Sequence, residues 1–205
     1  MKMKLKICGM KYNTQEVAAL QPDYLGFIFY DKSPRDFQGV IPDIQDSIQK
    51  VGVFVDTEIA FAKAKIAQHQ LDVIQLHGSE SPAYIQELRS NCSVQIWKVF
   101  AIKDQFDFKR LNAYEGLIDA FLFDTKGTQK GGNGYTFDWN VLKEYTSQTP
   151  FVLSGGIGLE EIEKVKEILT TDLPILALDV NSKFEVEPGL KSIKELKEFK
   201  KVLKL

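Results

Sequence analysis

Eight short apolar runs alternate with longer amphipathic stretches along the 205 residues, and this alternation constrains the fold more than any other feature. The runs have the length and the Val, Ile, Leu and Phe content of buried strands. They fall at 4–8, 23–29, 50–55, 72–77, 94–100, 120–123, 151–154 and 175–180. Between them, helical patterns occupy 57–68, 82–90, 159–169 and 190–203, with weaker ones at 13–20 and 41–49. We expect Thr57 to cap the first of these helices and Pro82, after Ser81, to open the second.

Repeated strand and helix units with buried strands indicate a parallel sheet, because parallel strands need crossover connections. Eight units in a chain of this length predict a closed (β/α)₈ barrel, the TIM-barrel architecture. No Pro/Gly/Ser-rich linker divides the sequence, so we expect a single domain over residues 1–205. The alternative is a doubly wound open sheet. Its usual dinucleotide signature is missing, because no GxGxxG follows the first strand.

Composition excludes several classes of function. The formal net charge is −2, and lysines and glutamates are interspersed, so we expect no nucleic-acid partner. No apolar segment approaches the ~20 residues that span a bilayer, so we expect no membrane partner. The N-terminal sequence MKMKLKICGM is too short and too rich in lysine for a signal peptide. The sequence therefore predicts a cytoplasmic protein.

The cysteines and histidines do not form a metal-binding pattern. Cys8 and Cys92 are far apart in sequence, and in a reducing compartment we expect both to be free thiols. His69 and His77 lack the spacing of metal ligands. We therefore expect no bound metal.

Groups able to do chemistry end most of the predicted strands. In a (β/α)₈ barrel the carboxyl ends of the strands meet at one mouth, so these side chains should converge there. They are Cys8, Asp56, Gln75, His77, Asp124, Ser154 and Asp179. A purely structural barrel has no reason to concentrate them at one end, so the pattern predicts an enzyme. The alternative for Cys8 alone is a small buried hydrophobic residue.

Two loops are candidates for binding phosphate. Strand 7 runs through Ser154, Gly155 and Gly156 into a helix start, where backbone N–H groups can approach an anion. The loop after strand 8 contains Asn181 and Ser182 and is a candidate start for a short extra helix. Glycines in loops often serve only as turns. Two such loops in the positions where barrels commonly bind phosphate nevertheless predict a phosphate-ester substrate.

Two further loops follow strands 2 and 6. Arg35, within the segment SPRDF, suits recognition of a carboxylate, although it could equally be a surface arginine. The glycine-rich segment 126–135 could close over the mouth or be a plain flexible loop.

Ordered motifs along almost the whole chain resemble phosphoribosylanthranilate isomerases, the enzymes of tryptophan biosynthesis that carry out an Amadori rearrangement. A single motif such as QLHG would mean little, but the ordered set is highly specific. The motifs are KICGM at 6–10, GFIF with SPR at 26–35, GVF at 52–54, QLHG at 75–78, FDTKG with GGNGYTFDW at 123–139, LSGGI at 153–157 and DVNSKFEVEPGLKSIKEL at 179–196.

This resemblance implies a phosphate-binding barrel that isomerises its phosphosugar–anthranilate substrate without cofactor or metal, and it favours a monomer. It implies that Cys8 is the general base and Asp124 the general acid. Arg35 would hold the anthranilate carboxylate, and Asp179 would meet sugar hydroxyls. Phosphate would be bound by the loops that contain Ser154, Gly155, Gly156, Asn181 and Ser182. Gln75 and His77 are further substrate-binding candidates.

Lys6 lies on the same strand face as Cys8, one layer deeper, and is a candidate for lowering the pKa of the cysteine. The chain departs from the family pattern at Met10 and Lys11, and at Lys183, where the family commonly has glycine. Lys183 leaves the geometry of that loop in question, and it could add a cation near the phosphate.

Other phosphate-binding barrels compete with this interpretation. Indoleglycerol-phosphate synthase would need a catalytic lysine, for which Lys98 is the only inviting residue. A pentose-phosphate epimerase would need metal-binding histidines, and the chain has only two histidines. A non-catalytic phosphosugar-binding barrel would have no need for both Cys8 and Asp124.

Overall fold

The computed structural model describes residues 3–103, 105–125 and 137–205, and its centre is a closed barrel of eight parallel strands. The strands pair in chain order, and the first closes the barrel against the eighth. They are β1 (Lys4–Cys8), β2 (Tyr24–Ile28), β3 (Gln49–Phe54), β4 (Val73–Leu76), β5 (Gln95–Ile102), β6 (Ala120–Thr125), β7 (Phe151–Leu153) and β8 (Ile175–Val180). All eight predicted strands, and the predicted barrel, are confirmed.

Side chains on each strand alternate between two apolar layers. On β1, Leu5 and Ile7 belong to the large outer core between the barrel and its helices. Lys6 and Cys8 take the other face, as predicted from parity. The residues packed inside the barrel are Tyr24, Val51, Val73, Trp97, Val99, Ala120, Leu122, Val152 and Ala177. This inner layer fills the barrel, so the polar strand ends above it form the floor of the mouth.

Helices cover the barrel unevenly. The α-helices are α1 (Thr14–Ala18), α2 (Ile59–His69), α3 (Pro82–Asn91), α4 (Ile162–Ile168) and α5 (Ile193–Leu203). The 3₁₀ helices are Phe108–Leu111, Trp139–Glu144, Leu159–Glu161 and Ser182–Phe184. A small antiparallel hairpin of β9 (Glu185–Glu187) and β10 (Leu190–Lys191) follows β8. Within the described residues, the connections after β2, β5 and β6 contain no α-helix.

The predicted helix over 41–49 is wrong. Its apolar spacing is real, because Ile41 and Ile44 pack against the outer core from an irregular segment. A turn closes between Gln45 and Ile48, and Gln49 already belongs to β3, where its N–H donates to Asp23 O at 2.9 Å. Too few residues remain for a helix.

Two helix starts also differ from prediction. The α2 helix is preceded by Glu58 rather than Thr57, and the Glu58 side chain makes no capping bond. The last helix begins at Ile193 because residues 190–191 form β10. The start of α3 is as predicted, with the Ser81 hydroxyl accepting from Tyr84 N and Pro82 at the first position.

Candidate active site

One cavity opens at the carboxyl ends of the barrel strands, and although Asp56 does not line it, every residue to which the family resemblance gave a catalytic or binding role does. These residues are Cys8, Arg35, Gln75, His77, Asp124, Ser154, Gly155, Gly156, Asp179, Asn181 and Ser182. They come from six strands or the loops that follow them, and only barrel closure brings them together. The glycine-rich segment predicted as a lid, 126–135, lies outside the described residues.

Cys8 ends β1 and is buried, with 4% of its surface exposed. Gly26, its partner on β2, leaves room for the thiol, because a Cβ atom there would lie 2.8 Å from Cys8 Sγ. Burial raises the pKa of Cys8, while the nearby ammonium groups of Lys6 and Lys191 act to lower it. The predicted influence of Lys6 therefore has the right sign, but burial outweighs it.

A buried ion pair lies directly beneath the thiol. Lys6 Nζ is 2.8 Å from Asp179 Oδ1, and the two side chains are 0% and 5% exposed. Burial opposes the charge on Lys6, but Asp179 and Cys8 outweigh it and raise the pKa of the lysine. The second carboxylate oxygen, Asp179 Oδ2, accepts from the Ser154 hydroxyl at 3.2 Å. Lys6 therefore remains a cation under the cysteine.

Asp124 lies near the end of β6 on another side of the same mouth. Its Oδ1 accepts from the N–H of Thr125 at 2.8 Å, and its Oδ2 is 3.5 Å from His77 Nε2. Gln75 Nε2 lies 3.2 Å from the other ring nitrogen of His77, Nδ1. In the tautomer whose Nδ1 accepts from the Gln75 NH₂, a neutral imidazole carries its proton on Nε2, facing Asp124. Gln75 thereby orients His77 toward the carboxyl group.

The two predicted phosphate loops line the same side of the cavity. Gly155 and Gly156 have φ angles of +91° and +70°, which L side chains rarely adopt. A Cβ at Gly155 would also lie 2.3 Å from Thr125 Oγ1, so this glycine is required for close packing as well. Ser182 opens the short 3₁₀ helix Ser182–Phe184, as predicted. Unpaired N–H groups at such turns are suited to an anion.

Arg35 reaches the mouth from the loop after β2 and is held by a residue that the sequence did not single out. Glu185 binds Arg35 Nε through both carboxylate oxygens at 2.9 Å, and its Oε2 binds Nη2 at 2.6 Å. The side chain of Glu185 is 4% exposed and that of Arg35 is 13% exposed. Arginine and lysine together hold the pKa of Glu185 below its ordinary value, against the effect of burial. Glu185 is therefore a carboxylate.

The lysine that shares Glu185 was also missed. Lys191 Nζ lies 2.7 Å from Glu185 Oε1 and 2.7 Å from Asn181 Oδ1, and its side chain is fully buried. Burial lowers the pKa of Lys191, and Glu185 acts against that effect. Both residues lie in the quoted motif of the β9–β10 hairpin, but no pattern in the sequence says that they fold under the mouth.

An apolar part of the cavity wall was missed for a different reason. Ile28, Val53 and Val55, at or just after the ends of β2 and β3, line the mouth beside Tyr30. Apolar strand ends are indistinguishable from core residues in a sequence. Lys183, one of the departures from the family pattern, also lines the cavity.

Other chemically active residues lie elsewhere. Lys98 is buried against Glu80, with Nζ 3.2 Å from Oε2, and donates to Gly78 O at 2.9 Å. Among the described residues, neither Lys98 nor Asp56 lines the mouth cavity. Cys8 and Cys92 are both free, as predicted. The described part of the chain contains no group of three or more His, Cys, Asp or Glu residues that could hold a metal ion. It likewise has no helix long and apolar enough to cross a membrane.

A family model described as N-(5'-phosphoribosyl)anthranilate (PRA) isomerase matches residues 5–202 of the chain. The chain belongs to this family. An N-(5'-phosphoribosyl)anthranilate isomerase of Parabacteroides distasonis is 42% identical over 205 residues, covering 96% of this chain and 91% of that protein. The family resemblance inferred from the motifs is therefore confirmed.

Solved structures of this family have the same fold. The phosphoribosyl anthranilate isomerase of Thermus thermophilus superposes with a TM-score of 0.85 at 26% identity, over 98% of both chains. Another phosphoribosyl anthranilate isomerase, in complex with reduced 1-(o-carboxyphenylamino)-1-deoxyribulose 5-phosphate, gives a TM-score of 0.78 at 26% identity, again over 98% of both chains. The closed barrel and these comparisons exclude the alternative of a doubly wound open sheet.

Proposed function

We propose that this protein isomerises N-(5'-phosphoribosyl)anthranilate to 1-(2-carboxyphenylamino)-1-deoxyribulose 5-phosphate, an Amadori rearrangement in tryptophan biosynthesis. The observation that carries the proposal is one mouth lined by a cysteine, a carboxylic acid, an arginine and two anion-binding loops. This set matches the substrate, which combines a carboxylate and a phosphate with a sugar whose rearrangement needs one acid and one base.

Asp124 is proposed as the general acid. It gives a proton to the ribose ring oxygen, the bond from that oxygen to C1 breaks, and the anthranilate nitrogen becomes part of a Schiff base. Asp124 must carry a proton at the start of this step. The imidazole of His77 at its Oδ2 and the N–H of Thr125 at its Oδ1 fix the direction of the carboxyl group.

Cys8 is proposed as the general base. Its thiolate removes the proton from C2, and the electron pair neutralises the Schiff base to give an enolamine. The enolamine then tautomerises to the ketone, so the sugar is oxidised at C2 and reduced at C1 with no external oxidant. The cations of Lys6 and Lys191 favour the thiolate against the effect of burial. These steps use only protons and electrons of the substrate and the two side chains.

The binding roles follow from the positions in the mouth. Arg35 is proposed to hold the anthranilate carboxylate, and the wall of Ile28, Val53 and Val55 to contact its ring. The phosphate is proposed to bind backbone N–H groups of Gly155, Gly156 and the Asn181–Ser182 turn. The contribution of Ser154 would be indirect, because its hydroxyl donates to Asp179 and its backbone N–H donates to Phe123 O at 2.9 Å.

Asp179, Gln75 and His77 are proposed to face the sugar. Both carboxylate oxygens of Asp179 are engaged, one by Lys6 and the other by Ser154. The ion pair with Lys6 is therefore a better supported role for Asp179 than contact with the sugar. We further propose that the enzyme works in the cytoplasm, and as a monomer. Analytical ultracentrifugation would test the monomer, since a dimer would give twice the molar mass of the chain.

Turnover of freshly generated phosphoribosylanthranilate tests the function. Loss of anthranilate-type fluorescence is followed after addition of purified protein, with heat-denatured protein as the control. We expect rapid loss of the signal. A folded protein that binds the substrate without consuming it would indicate the non-catalytic phosphosugar-binding barrel and would contradict the proposal.

A further inference from the structure

We propose that Lys191 is a positioning residue that aims both anion-binding side chains of the mouth, Arg35 through Glu185 and Asn181 directly. This inference rests on the proposed function and gives Lys191 a second role, separate from its effect on the pKa of Cys8. Lys191 comes from the hairpin that follows β8, and its side chain is 0% exposed. Lys191 does not line the mouth cavity, so its influence on a bound substrate passes through its two neighbours.

The first connection fixes Asn181. Lys191 Nζ is 2.7 Å from Asn181 Oδ1, and an ammonium group has donors but no acceptor. The amide oxygen of Asn181 must therefore face Lys191, which turns the amide NH₂ away from it. Asn181 lines the mouth between β8 and Ser182, so its NH₂ becomes a donor for the phosphate loop. Without Lys191, either end of the amide could face the phosphate.

The second connection fixes Arg35. Lys191 holds Glu185 Oε1 at 2.7 Å, and the N–H of Gly189 donates to the same oxygen at 3.0 Å. Glu185 in turn binds Arg35 Nε and Nη2. A guanidinium group has five N–H donors, so three remain for the substrate carboxylate. The end of the guanidinium that carries Nη1 is thus presented in one orientation.

Charge balance explains why a second cation is needed. Arg35 paired with Glu185 alone would be a neutral group and would attract a carboxylate weakly. When Lys191 is protonated on the Glu185 carboxylate, the three side chains carry one net positive charge. Backbone contacts also fix the place of the lysine, because Asn13 Oδ1 accepts from Lys191 N at 3.0 Å and Asn13 Nδ2 donates to Lys191 O at 2.9 Å. Lys191 is thus held at the point where both anion-binding side chains can be aimed.

Steady-state kinetics of Lys191→Met test the proposal, with inorganic phosphate as a competitive inhibitor. We expect KM for phosphoribosylanthranilate to rise about tenfold, which corresponds to about 1.4 kcal/mol, and the Ki for phosphate to rise severalfold. We expect kcat to change less than KM. Lys194→Met removes an exposed lysine from the neighbouring helix and serves as the matched control, with unchanged KM and Ki.

A second variant separates positioning from a structural role, because Lys191→Met leaves Glu185 buried beside Arg35 with one fewer partner. The double variant Glu185→Gln/Lys191→Met removes both charges, and its thermal stability should recover toward that of the wild type. The variant keeps one net positive charge on Arg35 but loses the contacts that orient Arg35 and Asn181, so we expect its KM and Ki to stay raised. Recovery of KM together with stability would overturn the proposal, as would a folded Lys191→Met with unchanged KM or unchanged phosphate Ki. If the wild type itself showed no turnover, the proposed function would have failed instead.

Discussion

The base side and the acid side of the mouth are built differently. Around Cys8, two fully buried lysines, Lys6 and Lys191, are each paired with a buried carboxylate. Around Asp124, the ring nitrogen Nε2 of His77 lies at the longer distance of 3.5 Å from the carboxylate. The same barrel floor thus carries dense charge on one side and sparse charge on the other.

The difference follows from what each group has to do. A thiol buried in a barrel resists ionisation, and the pKa of Cys8 is raised for this reason, so a base there needs cations nearby. An acid that must keep its proton gains nothing from a neighbouring cation. It needs orientation, which His77 and the N–H of Thr125 provide for Asp124. Catalysis should therefore be more sensitive to the loss of a charge beside Cys8 than to the loss of a charge beside Asp124.

The largest effect is expected when either reacting side chain, that of Cys8 or that of Asp124, is removed. Cys8→Ala and Asp124→Asn should each lower kcat by about 10³-fold, within the usual range for losing a general acid or base. Both variants should bind substrate nearly as well as the wild type, because neither residue anchors the phosphate or the carboxylate. Stopped-flow fluorescence gives kcat, and equilibrium titration with a product analogue gives binding. A loss of binding equal to the loss of rate would contradict the assigned roles.

Lys6→Met should have the next largest effect, and it tests the charge on the base side. Without the ammonium the pKa of Cys8 rises further, so the thiolate forms at higher pH. The acidic limb of the kcat/KM profile should move up by about one pH unit, the smaller end of the effect of a close opposite charge. At pH 7 this shift would reduce kcat/KM by up to about tenfold.

Lys6→Met also leaves Asp179 buried without its partner, which is expected to cost about 3–5 kcal/mol. The double variant Lys6→Met/Asp179→Asn guards against a folding defect. Asp179 itself raises the pKa of Cys8, so the limb should move in the same direction but by less. An unchanged pH profile in both folded variants would show that Lys6 does not lower the pKa of Cys8.

Gly26→Ala should reduce kcat about tenfold and also lower the thermal stability, because a Cβ there would lie 3.1 Å from the backbone Cα of Cys8. Its new Cβ would lie 2.8 Å from Cys8 Sγ, so the thiol has to rotate away from its position. Gly39→Ala is the matched control, because its Cβ would meet only ordinary contacts, the nearest at 3.5 Å from Phe37. Equal activities of the two variants would show that the orientation of the thiol is not critical.

The smallest effect is expected for His77, which orients the acid Asp124. His77→Gln should lower kcat only about threefold and leave the acidic limb of the pH profile in place, because His77 orients Asp124 and supplies no charge to Cys8. Parallel pH profiles for His77→Gln and Lys6→Met make the comparison direct. If His77→Gln shifted the limb as far as Lys6→Met, the two sides would not differ in the way described above.

Much of this architecture could be predicted from the sequence, for identifiable reasons. Buried parallel strands are short and continuously apolar, so their positions could be predicted within one or two residues over most of the barrel. The residue after an apolar run marks the mouth, so Cys8, Asp124 and Asp179 could be predicted as well. The false helix at 41–49 shows the limit, since Ile41 and Ile44 pack against the core without helical backbone.

The parts of the site that sequence could not predict depend on long-range pairing. Glu185 contacts Arg35 across 150 residues, and neither apolar periodicity nor a strand end marks either side of that contact. Lys191 looks like any lysine before a helix until the β9–β10 hairpin places it under the mouth. The balance between burial and cations at Cys8 is also a property of the folded barrel. Local patterns carry no information about it.

The most direct test of the central claim follows the carbon that changes. Phosphoribosylanthranilate labelled with ¹³C at C2 of the ribose is mixed with enzyme, and ¹³C NMR is recorded during the reaction. We expect the signal to move from the hydroxyl-bearing carbon region to the ketone region with wild-type protein, and to stay in place over the same time with Cys8→Ala or Asp124→Asn. A ketone signal that appears at the wild-type rate in either variant would contradict the account.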